Sequence, residues 1–243
     1  MTVPPPNVSS IDLRASLPPV RDQGQRGTCL AFAVTAGHEV YRSTRSAPED
    51  LSAEALYWGS KHIDGNWKCG TTFGSAAVAI SRWGQPPESE WPYDRSRADG
   101  VAFSPPSAAG GSSWHRSGLR RIDVALADVR DHLDGGTPVL LGLTVFDTFF
   151  LPDPAGHISD PPSGADARGR HAVLAVGHQA DEVLIRNSWG TTWALGGYAW
   201  IGDGYIRSYA GDAWIVDAAA ASSGGASRAA HTGEPPGETY GTQ

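Results

Sequence analysis

The chain has 243 residues, of which 40% are hydrophobic and 19% charged, and its formal net charge is −7 at pH 7. These values are typical of a soluble globular protein that is long enough to bury a full core. The acidic balance and the lack of a basic stripe exclude an ordinary nucleic-acid-binding protein. No apolar run approaches the roughly 20 residues that span a bilayer, so we expect neither a nucleic acid nor a membrane as partner.

The N-terminus and the cysteines bear on the cellular compartment. Residues 1–19 are rich in proline and have neither the basic region nor the apolar core of a secretory signal, so we predict an extended arm. Cys29 and Cys69 are the only cysteines, and a catalytic Cys29 would leave no structural disulfide. We therefore expect a cytoplasmic protein. Two lysines against 17 arginines are typical of a bacterial chain from a GC-rich genome.

A cysteine lies at the start of the first predicted helix. The glycine-punctuated loop over residues 23–28 leads to Cys29, and small or apolar residues then recur with helical spacing to about Thr44. Because most of this face is small, another layer can approach the helix closely. Unpaired N–H groups at a helix start favour a thiolate, although a free cysteine is more often buried and inert.

The rest of the first half predicts a helical lobe over residues 20–108. Ser52 has the position of an N-cap before a second helix, and Phe73–Trp83 predicts a third. Residues 62–72 are polar and glycine-rich, so we expect a loop there. A long proline-rich connection then leads to a crossing between lobes at residues 109–113.

The second half predicts a β-rich lobe over residues 109–221, whose final strand can return to the helical lobe. One helix is expected at Leu126–Leu133, and residues 147–170 carry four prolines and predict a long surface loop. Residues 222–243 are poor in apolar side chains and are expected to be disordered. Short apolar runs predict strands at 138–145, 171–177, 182–186, 197–201 and 213–216.

Two motifs in the predicted strands complement Cys29. His171 stands at the mouth of an apolar strand, and Asn187 ends the next one, with Trp189 two residues later. A thiol nucleophile needs a base, and that base needs a partner that fixes its tautomer. A glutamine upstream of the cysteine, here Gln23, can donate to an oxyanion, and such a donor is typically worth about 3–4 kcal/mol of barrier.

These motifs resemble those of the papain family of cysteine peptidases. The segment Gln23-Gly24-x-x-Gly27-Thr28-Cys29-x-Ala31-Phe32 resembles the family's nucleophile loop. The later segments resemble its histidine strand, at His171-Ala172-Val173, and its asparagine turn, at Asn187-Ser188-Trp189-Gly190. The order agrees, as do the gaps of 142 residues from Cys29 to His171 and of 16 residues to Asn187.

The resemblance implies an α+β fold in which a helical lobe packs against an antiparallel, β-barrel-like lobe with the active site in the cleft between them. Cys29 would be the nucleophile, His171 its base and Asn187 the residue that orients the imidazole. Gln23 would donate in the oxyanion hole, and Trp189 would shield the histidine–asparagine hydrogen bond from water. The implied resting state is a thiolate–imidazolium pair, with the pKa of Cys29 lowered and that of His171 raised.

Arg26 departs from the family pattern, because it stands where relatives usually have a cysteine bonded to the counterpart of Cys69. The family's inhibitory pro-segment also has no counterpart, so activity must be restrained in another way, or the chain begins after such a segment. In the family, residues near the second cysteine and just before the histidine line the substrate cleft. Gly70, Thr71 and Arg170 are the corresponding candidates, and Arg170 would either favour an acidic group or be a plain surface charge.

Three other histidines compete with His171 for the role of base. His38 lies on the first helix and fits a structural role, and His157 opens no motif. His178 would lie on the order of 20 Å from His171, at the far end of the same strand. No histidine and cysteine cluster has the spacing of zinc ligands, so we expect neither a metal nor a cofactor.

Three functions fit these residues. The first is a cysteine peptidase that hydrolyses peptides or proteins through a thioester on Cys29. The second is an acyl-transfer enzyme (a peptide ligase, cyclase or tailoring enzyme) with the same triad. The third is an inactive scaffold that binds peptides or a regulatory protein partner.

Overall fold

A computed structural model of the chain describes residues 10–109, 114–218 and 238–241. The helices in these residues are α1 (Cys29–Ser43), α2 (Ala53–Asp64), α3 (Phe73–Arg82), α4 (Leu126–Asp134), α5 (Asp147–Phe150) and α6 (Asp203–Tyr209). The strands are β1 (Ile11–Asp12), β2 (Gly118–Ile122), β3 (Val139–Val145), β4 (His157–Ile158), β5 (Gly169–Gln179), β6 (Glu182–Arg186), β7 (Tyr198–Gly202) and β8 (Ala210–Asp217). The predicted α+β class, with helices first and most strands later, is confirmed.

The strands form one sheet in the order β2-β8-β3-β5-β6-β7-β4, and β1 pairs with β5. Every pairing is antiparallel except that of β4 with β7, which is parallel. The edge strands β2 and β4 do not pair with each other, and a barrel requires such closure. The expected antiparallel, barrel-like lobe is therefore an open mixed sheet in the described part of the chain.

Both faces of β5 are buried, which explains why this strand reads as a continuous apolar run. Ala172, Leu174 and Val176 belong to the core beneath α1, whereas Val173 and Ala175 belong to the core on the opposite face, with α4 and α6. His171 is the third residue of this strand. A rigid, doubly covered strand therefore carries the candidate base.

Helix α1 packs closely on the sheet, as its small face predicts. A Cβ atom built on Gly37 would lie 3.1 Å from Cγ2 of Val216 in β8, so glycine permits the close approach. The helix begins at Cys29 and ends at Ser43, near the predicted Thr44. This packing holds the first turn of α1, and hence Cys29, against the β-rich half.

The other two long helices also lie close to their predicted bounds. The side chain of Ser52 accepts a hydrogen bond of 3.0 Å from the backbone N–H of Ala55, so Ser52 caps α2 as predicted. Thr72 caps α3 in the same way, by accepting from the backbone N–H of Ser75. None of the described helices is long and apolar enough to cross a membrane.

The prediction of a plain surface loop over residues 147–170 is wrong in part. The segment contains α5 and β4, and Phe149 of α5 is fully buried. Its four prolines dominate the sequence pattern and conceal this contribution to the core. The strand β2 and the helix α6 were also not predicted. In β2, an edge strand, two arginines mask the alternation of apolar and polar residues.

Two other predictions fall partly outside the described residues. In the expected crossing between lobes at 109–113, only Ala109 is described, and it is buried. In the expected disordered tail, residues 222–237 and 242–243 lie outside the described part. Residues 238–241 contradict that expectation, because Tyr240 is fully buried and forms an antiparallel bridge with Thr71. One tyrosine in a polar segment is too weak a signal to predict such docking.

Candidate active site

A short hydrogen bond joins the candidate base to its candidate orienting residue. Nε2 of His171 lies 2.7 Å from Oδ1 of Asn187. The same Oδ1 accepts from the backbone N–H of Ser188 at 2.8 Å, which fixes it as the oxygen of the amide. An amide oxygen only accepts, so the proton of a neutral His171 ring must be on Nε2. The lone pair on Nδ1 is then left to take a proton from a thiol.

Aromatic rings pack against the imidazole of His171. The ring of Trp189 lies 4.7 Å from that of His171, and the ring of Phe149 lies 5.6 Å away. Phe150 and Trp193 pack on Trp189 in turn, at 5.2 and 5.6 Å. Trp189 therefore lies where the resemblance places a shield, although that role remains a prediction. Sequence reasoning missed Phe149 and Phe150, and an adjacent pair of phenylalanines in a proline-rich loop was the available signal.

The loop before Cys29 is tied directly to the Asn187 loop. The backbone N–H of Gln23 donates to the carbonyl of Ser188 at 2.8 Å, and the Ser188 hydroxyl donates to Oε1 of Gln23 at 2.6 Å. One N–H of the Gln23 amide donates to the carbonyl of Arg26 at 2.7 Å. The amide is thereby fixed in orientation and keeps a second N–H for the oxyanion role that we predict.

Cys29 and His171 are both fully buried in this structure. Burial lowers the pKa of His171 to about 4, and the hydrogen bond to Asn187 opposes this only in part. The expectation of a raised pKa is therefore wrong here, because loss of solvent disfavours the charged ring. The structure favours a neutral imidazole beside the Cys29 loop.

A buried ion pair replaces the disulfide that the resemblance places at Arg26. Its guanidinium donates to both carboxylate oxygens of Glu54, at 2.5 and 3.1 Å, and to the carbonyl of Asp94 at 2.7 Å. Burial lowers the pKa of Arg26, but the hydrogen bond and charge of Glu54 outweigh it and raise the pKa overall. Cys29 and Cys69 are in no disulfide, as expected. Arg26 and Glu54 thus link the nucleophile loop to α2.

The three candidate substrate-binding residues lie together, and Gly70 packs against Gly27 of the nucleophile loop. Thr71 pairs with Tyr240, and a Cβ on Gly70 would lie 2.6 Å from the carbonyl oxygen of Tyr240. The guanidinium of Arg170 forms an ion pair with Glu238. All three therefore contact the segment 238–241, which sequence reasoning had assigned no role.

The rival histidines have structural partners. Nδ1 of His38 lies 2.9 Å from Oε1 of Gln85, and burial lowers its pKa to about 4. His178 pairs with Asp134, and His157 with Glu182. None of them is joined to Asn187. Among the described residues, no group of three or more histidines, cysteines and acidic residues could hold a metal ion.

The comparisons with known proteins agree on one family. The family model described as papain family cysteine protease matches residues 7–213. A peptidase C1-like protein of Acanthamoeba polyphaga mimivirus is 26% identical over 80% of this chain and 68% of its own length. The oryzain gamma chain of Oryza sativa subsp. japonica is also 26% identical, over 74% of this chain. The chain spans only 50% of the rice protein.

Two solved structures share the fold. Xylellain, a cysteine protease from Xylella fastidiosa, superposes with a TM-score of 0.77 at 26% identity, over 89% of this chain and 87% of its own. A cysteine protease of Carica candamarcensis in complex with E-64 superposes with a TM-score of 0.70 at 25% identity. That match covers 86% of this chain and 98% of the plant protein.

Proposed function

Since the chain belongs to the papain family of cysteine proteases, we propose that it hydrolyses peptide bonds through a thioester formed on Cys29. One observation carries the proposal. A continuous series of hydrogen bonds leads from His171 through Asn187 and Ser188 to Gln23 on the nucleophile loop. Such a series positions base, orienting residue and oxyanion donor relative to one another, as nucleophilic catalysis requires.

The proposed reaction has two steps. Nδ1 of His171 takes the thiol proton of Cys29 while the sulfur attacks the peptide carbonyl carbon. The tetrahedral oxyanion is held by the Cys29 backbone N–H and the second N–H of Gln23. The carbon–nitrogen bond breaks when His171 returns its proton to the leaving amine. A water molecule, deprotonated by His171, then cleaves the thioester and regenerates the thiol.

Burial of the site supports the protonation states that this mechanism needs. A neutral His171 with its proton on Nε2 is a base from the start, and Asn187 stabilises the imidazolium that forms during the reaction by accepting a hydrogen bond from Nε2–H. The thiol proton then moves in concert with attack on the carbonyl. The proposal therefore does not require a permanent thiolate–imidazolium pair.

The test is hydrolysis of a fluorogenic peptide library by the full chain. We expect Cys29→Ala to abolish cleavage and the matched Cys69→Ala to leave it intact. A competing amine in the same assay separates hydrolysis from acyl transfer, and we expect hydrolysed product. Retention of cleavage by Cys29→Ala would contradict the assignment.

We also propose that the protein works in a reducing compartment such as the bacterial cytoplasm. The support is that the Arg26–Glu54 ion pair stands where the resemblance places a disulfide, and that both cysteines are in no disulfide. The protease from Carica candamarcensis binds E-64, and we propose that thiol-directed epoxides of this kind also react with Cys29.

A further inference from the structure

The segment Glu238–Gly241 lies along the candidate active site and pairs with the loop at Thr71 in an isolated antiparallel bridge. The backbone N–H of Thr71 donates to the carbonyl of Tyr240 at 3.1 Å, and the N–H of Tyr240 donates to the carbonyl of Thr71 at 2.8 Å. The N–H of Gly241 donates to the carbonyl of Arg170 at 3.2 Å, and Arg170 directly precedes His171. The segment is therefore held by its backbone between the two walls of the site. Any extended peptide could make the same hydrogen bonds.

The segment brings Gly241 against the nucleophile loop. A Cβ atom on Gly241 would lie 2.7 Å from Cα of Gly70 and 3.2 Å from the carbonyl oxygen of Gly27, which is two residues before Cys29. Contacts this short leave no room for a side chain directed between these two loops. A glycine fits the position that follows Tyr240, next to the nucleophile loop.

The side chain of Tyr240 fills a pocket that is shaped for it. Its ring packs edge-on against Phe73 at 5.2 Å, and its hydroxyl donates to Oδ2 of Asp212 at 2.6 Å. A Cβ on Gly142 would lie 2.3 Å from the hydroxyl oxygen, so only glycine leaves room for a tyrosine. Burial raises the pKa of Tyr240, which keeps the hydroxyl a neutral donor to Asp212.

The residues around Tyr240 add a preference for charge. The guanidinium of Arg170 lies 3.4 Å from the Tyr240 hydroxyl and forms an ion pair with Glu238, which is itself half exposed. Arg170 also donates to Oγ1 of Thr144 at 2.8 Å, so β3 holds it in place. An acidic residue two positions before the tyrosine therefore meets a positioned positive charge.

We propose that the segment Glu238–Gly241 occupies the cleft in the manner of a peptide substrate and restrains the chain's own activity. On this proposal the Phe73–Gly142–Asp212 pocket selects tyrosine, with glycine after it and an acidic residue two positions before it. The inference rests on the proposed function, because it assigns the substrate class of that same site. Peptide substrates must displace the segment to reach Cys29.

Binding to an inactive protein tests the occupancy without relying on catalysis. The probe is the peptide acetyl-Glu-Thr-Tyr-Gly-amide, titrated calorimetrically into full-length Cys29→Ala and into Cys29→Ala with Tyr240→Ala. We expect binding at least about tenfold tighter to the double variant, since removal of the ring vacates the pocket. Equal affinity for both proteins, or binding to neither, would overturn the proposal. Tyr41→Ala, at the opposite end of α1 from Cys29, is the matched control and should leave the affinity unchanged.

Two further variants guard against loss of folding and separate pocket from backbone. Glu238→Arg changes an exposed residue and opposes Arg170, so it should also raise peptide affinity in a folded protein. Gly142→Ala should abolish the preference for the tyrosine peptide over its alanine analogue, because the new methyl group fills the pocket. An unchanged preference in Gly142→Ala would contradict the assignment of the pocket.

The same variants separate this inference from the proposed activity. If the chain is a peptidase, Tyr240→Ala should raise kcat/KM for a tyrosine–glycine peptide several-fold over wild type. Tight peptide binding without any cleavage would leave the occupancy standing and reject the peptidase. Cleavage by wild type that neither Tyr240→Ala nor Glu238→Arg increases would keep the peptidase and reject the restraint.

Discussion

The hydroxyl of Ser188 donates to Oε1 of Gln23 at 2.6 Å, and this contact ties the loop before the nucleophile to the loop that orients the base. Ser188→Ala should leave the buried Gln23 oxygen without its donor, which costs about 1–3 kcal/mol of stability. We expect peptide cleavage to fall as well, because the Gln23 amide loses its fixed orientation. Urea unfolding and steady-state kinetics on one preparation measure both effects, and unchanged values for both would contradict this role.

Asn187 sets the tautomer of His171, so its loss should act mainly on catalysis. We expect Asn187→Ala to lower kcat/KM by roughly 10²-fold, the lower end of the usual contribution of a positioned acid–base group. Since the hydrogen bond raises the pKa of His171, the variant should also move the acid limb of the pH–rate profile to lower pH. Asn66→Ala, in the exposed turn after α2, is the control. A profile that stays in place would argue for a purely structural asparagine.

The ion pair of Arg26 with Glu54 is buried, so the loss of one partner should destabilise the protein more than the replacement of both by apolar residues. Arg26→Ala should cost about 3–5 kcal/mol, because it leaves the Glu54 carboxylate buried without that partner. Arg97, which also contacts Glu54 at 3.0 Å, should recover part of the loss. The double variant Arg26→Leu with Glu54→Leu should recover more of it, since two apolar side chains need no partner. Chemical denaturation of wild type, of Arg26→Leu and Glu54→Leu singly, and of the double variant completes the comparison, and additive losses would contradict the pairing.

Buried His38 gives the stability a pH dependence of known sign. Its pKa is 6.5 in the unfolded chain and about 4 in the folded protein, so folding favours the neutral ring. The contribution is present above pH 6.5 and is lost as the pH falls towards 4, by about 3 kcal/mol in total. Glu39, whose pKa burial raises to about 7, acts in the opposite sense between pH 4.5 and 7.

The matched comparison for His38 is His38→Asn, whose amide can still donate to Gln85. The free energy of unfolding of wild type minus that of the variant should decrease as the pH falls from 6.5 to 4. Glu39 and His171 are common to both proteins and cancel in this difference. A difference that is flat over this range would show that His38 does not become buried in its neutral form.

The sequence predicted the site better than the architecture around it. The predicted site residues belong to short motifs, and residue type and order indicate their chemistry: Cys29, His171, Asn187 and Gln23. The structure joins His171, Asn187 and Gln23 in one hydrogen-bonded series. Their catalytic roles remain predictions until the variants are measured. The raised pKa expected for His171 is wrong because the ring is fully buried, and the motif around His171 does not show how distant segments such as α5, with Phe149, pack on that ring.

Other features depended on contacts between distant parts of the chain. The strand β4 joins the sheet through a parallel pairing with β7, and its two residues are too few to show a strand pattern in the sequence. The docking of Tyr240 depends on Gly142 and Asp212, about 100 and 28 residues away in sequence. By contrast, the cap at Ser52 and the small face of α1 are local, and they were predicted.

The most direct test of the central claim is mass spectrometry after incubation with an epoxysuccinyl inhibitor. Wild type and Tyr240→Ala are each treated, digested and mapped for the modified cysteine. We predict one adduct, on the peptide that carries Cys29, with faster labelling in Tyr240→Ala than in wild type. A third protein, the variant His171→Ala, is treated in the same way and should show no adduct. Labelling confined to Cys69, or no labelling of Cys29 even in Tyr240→Ala, would contradict the assignment of Cys29 as the nucleophile.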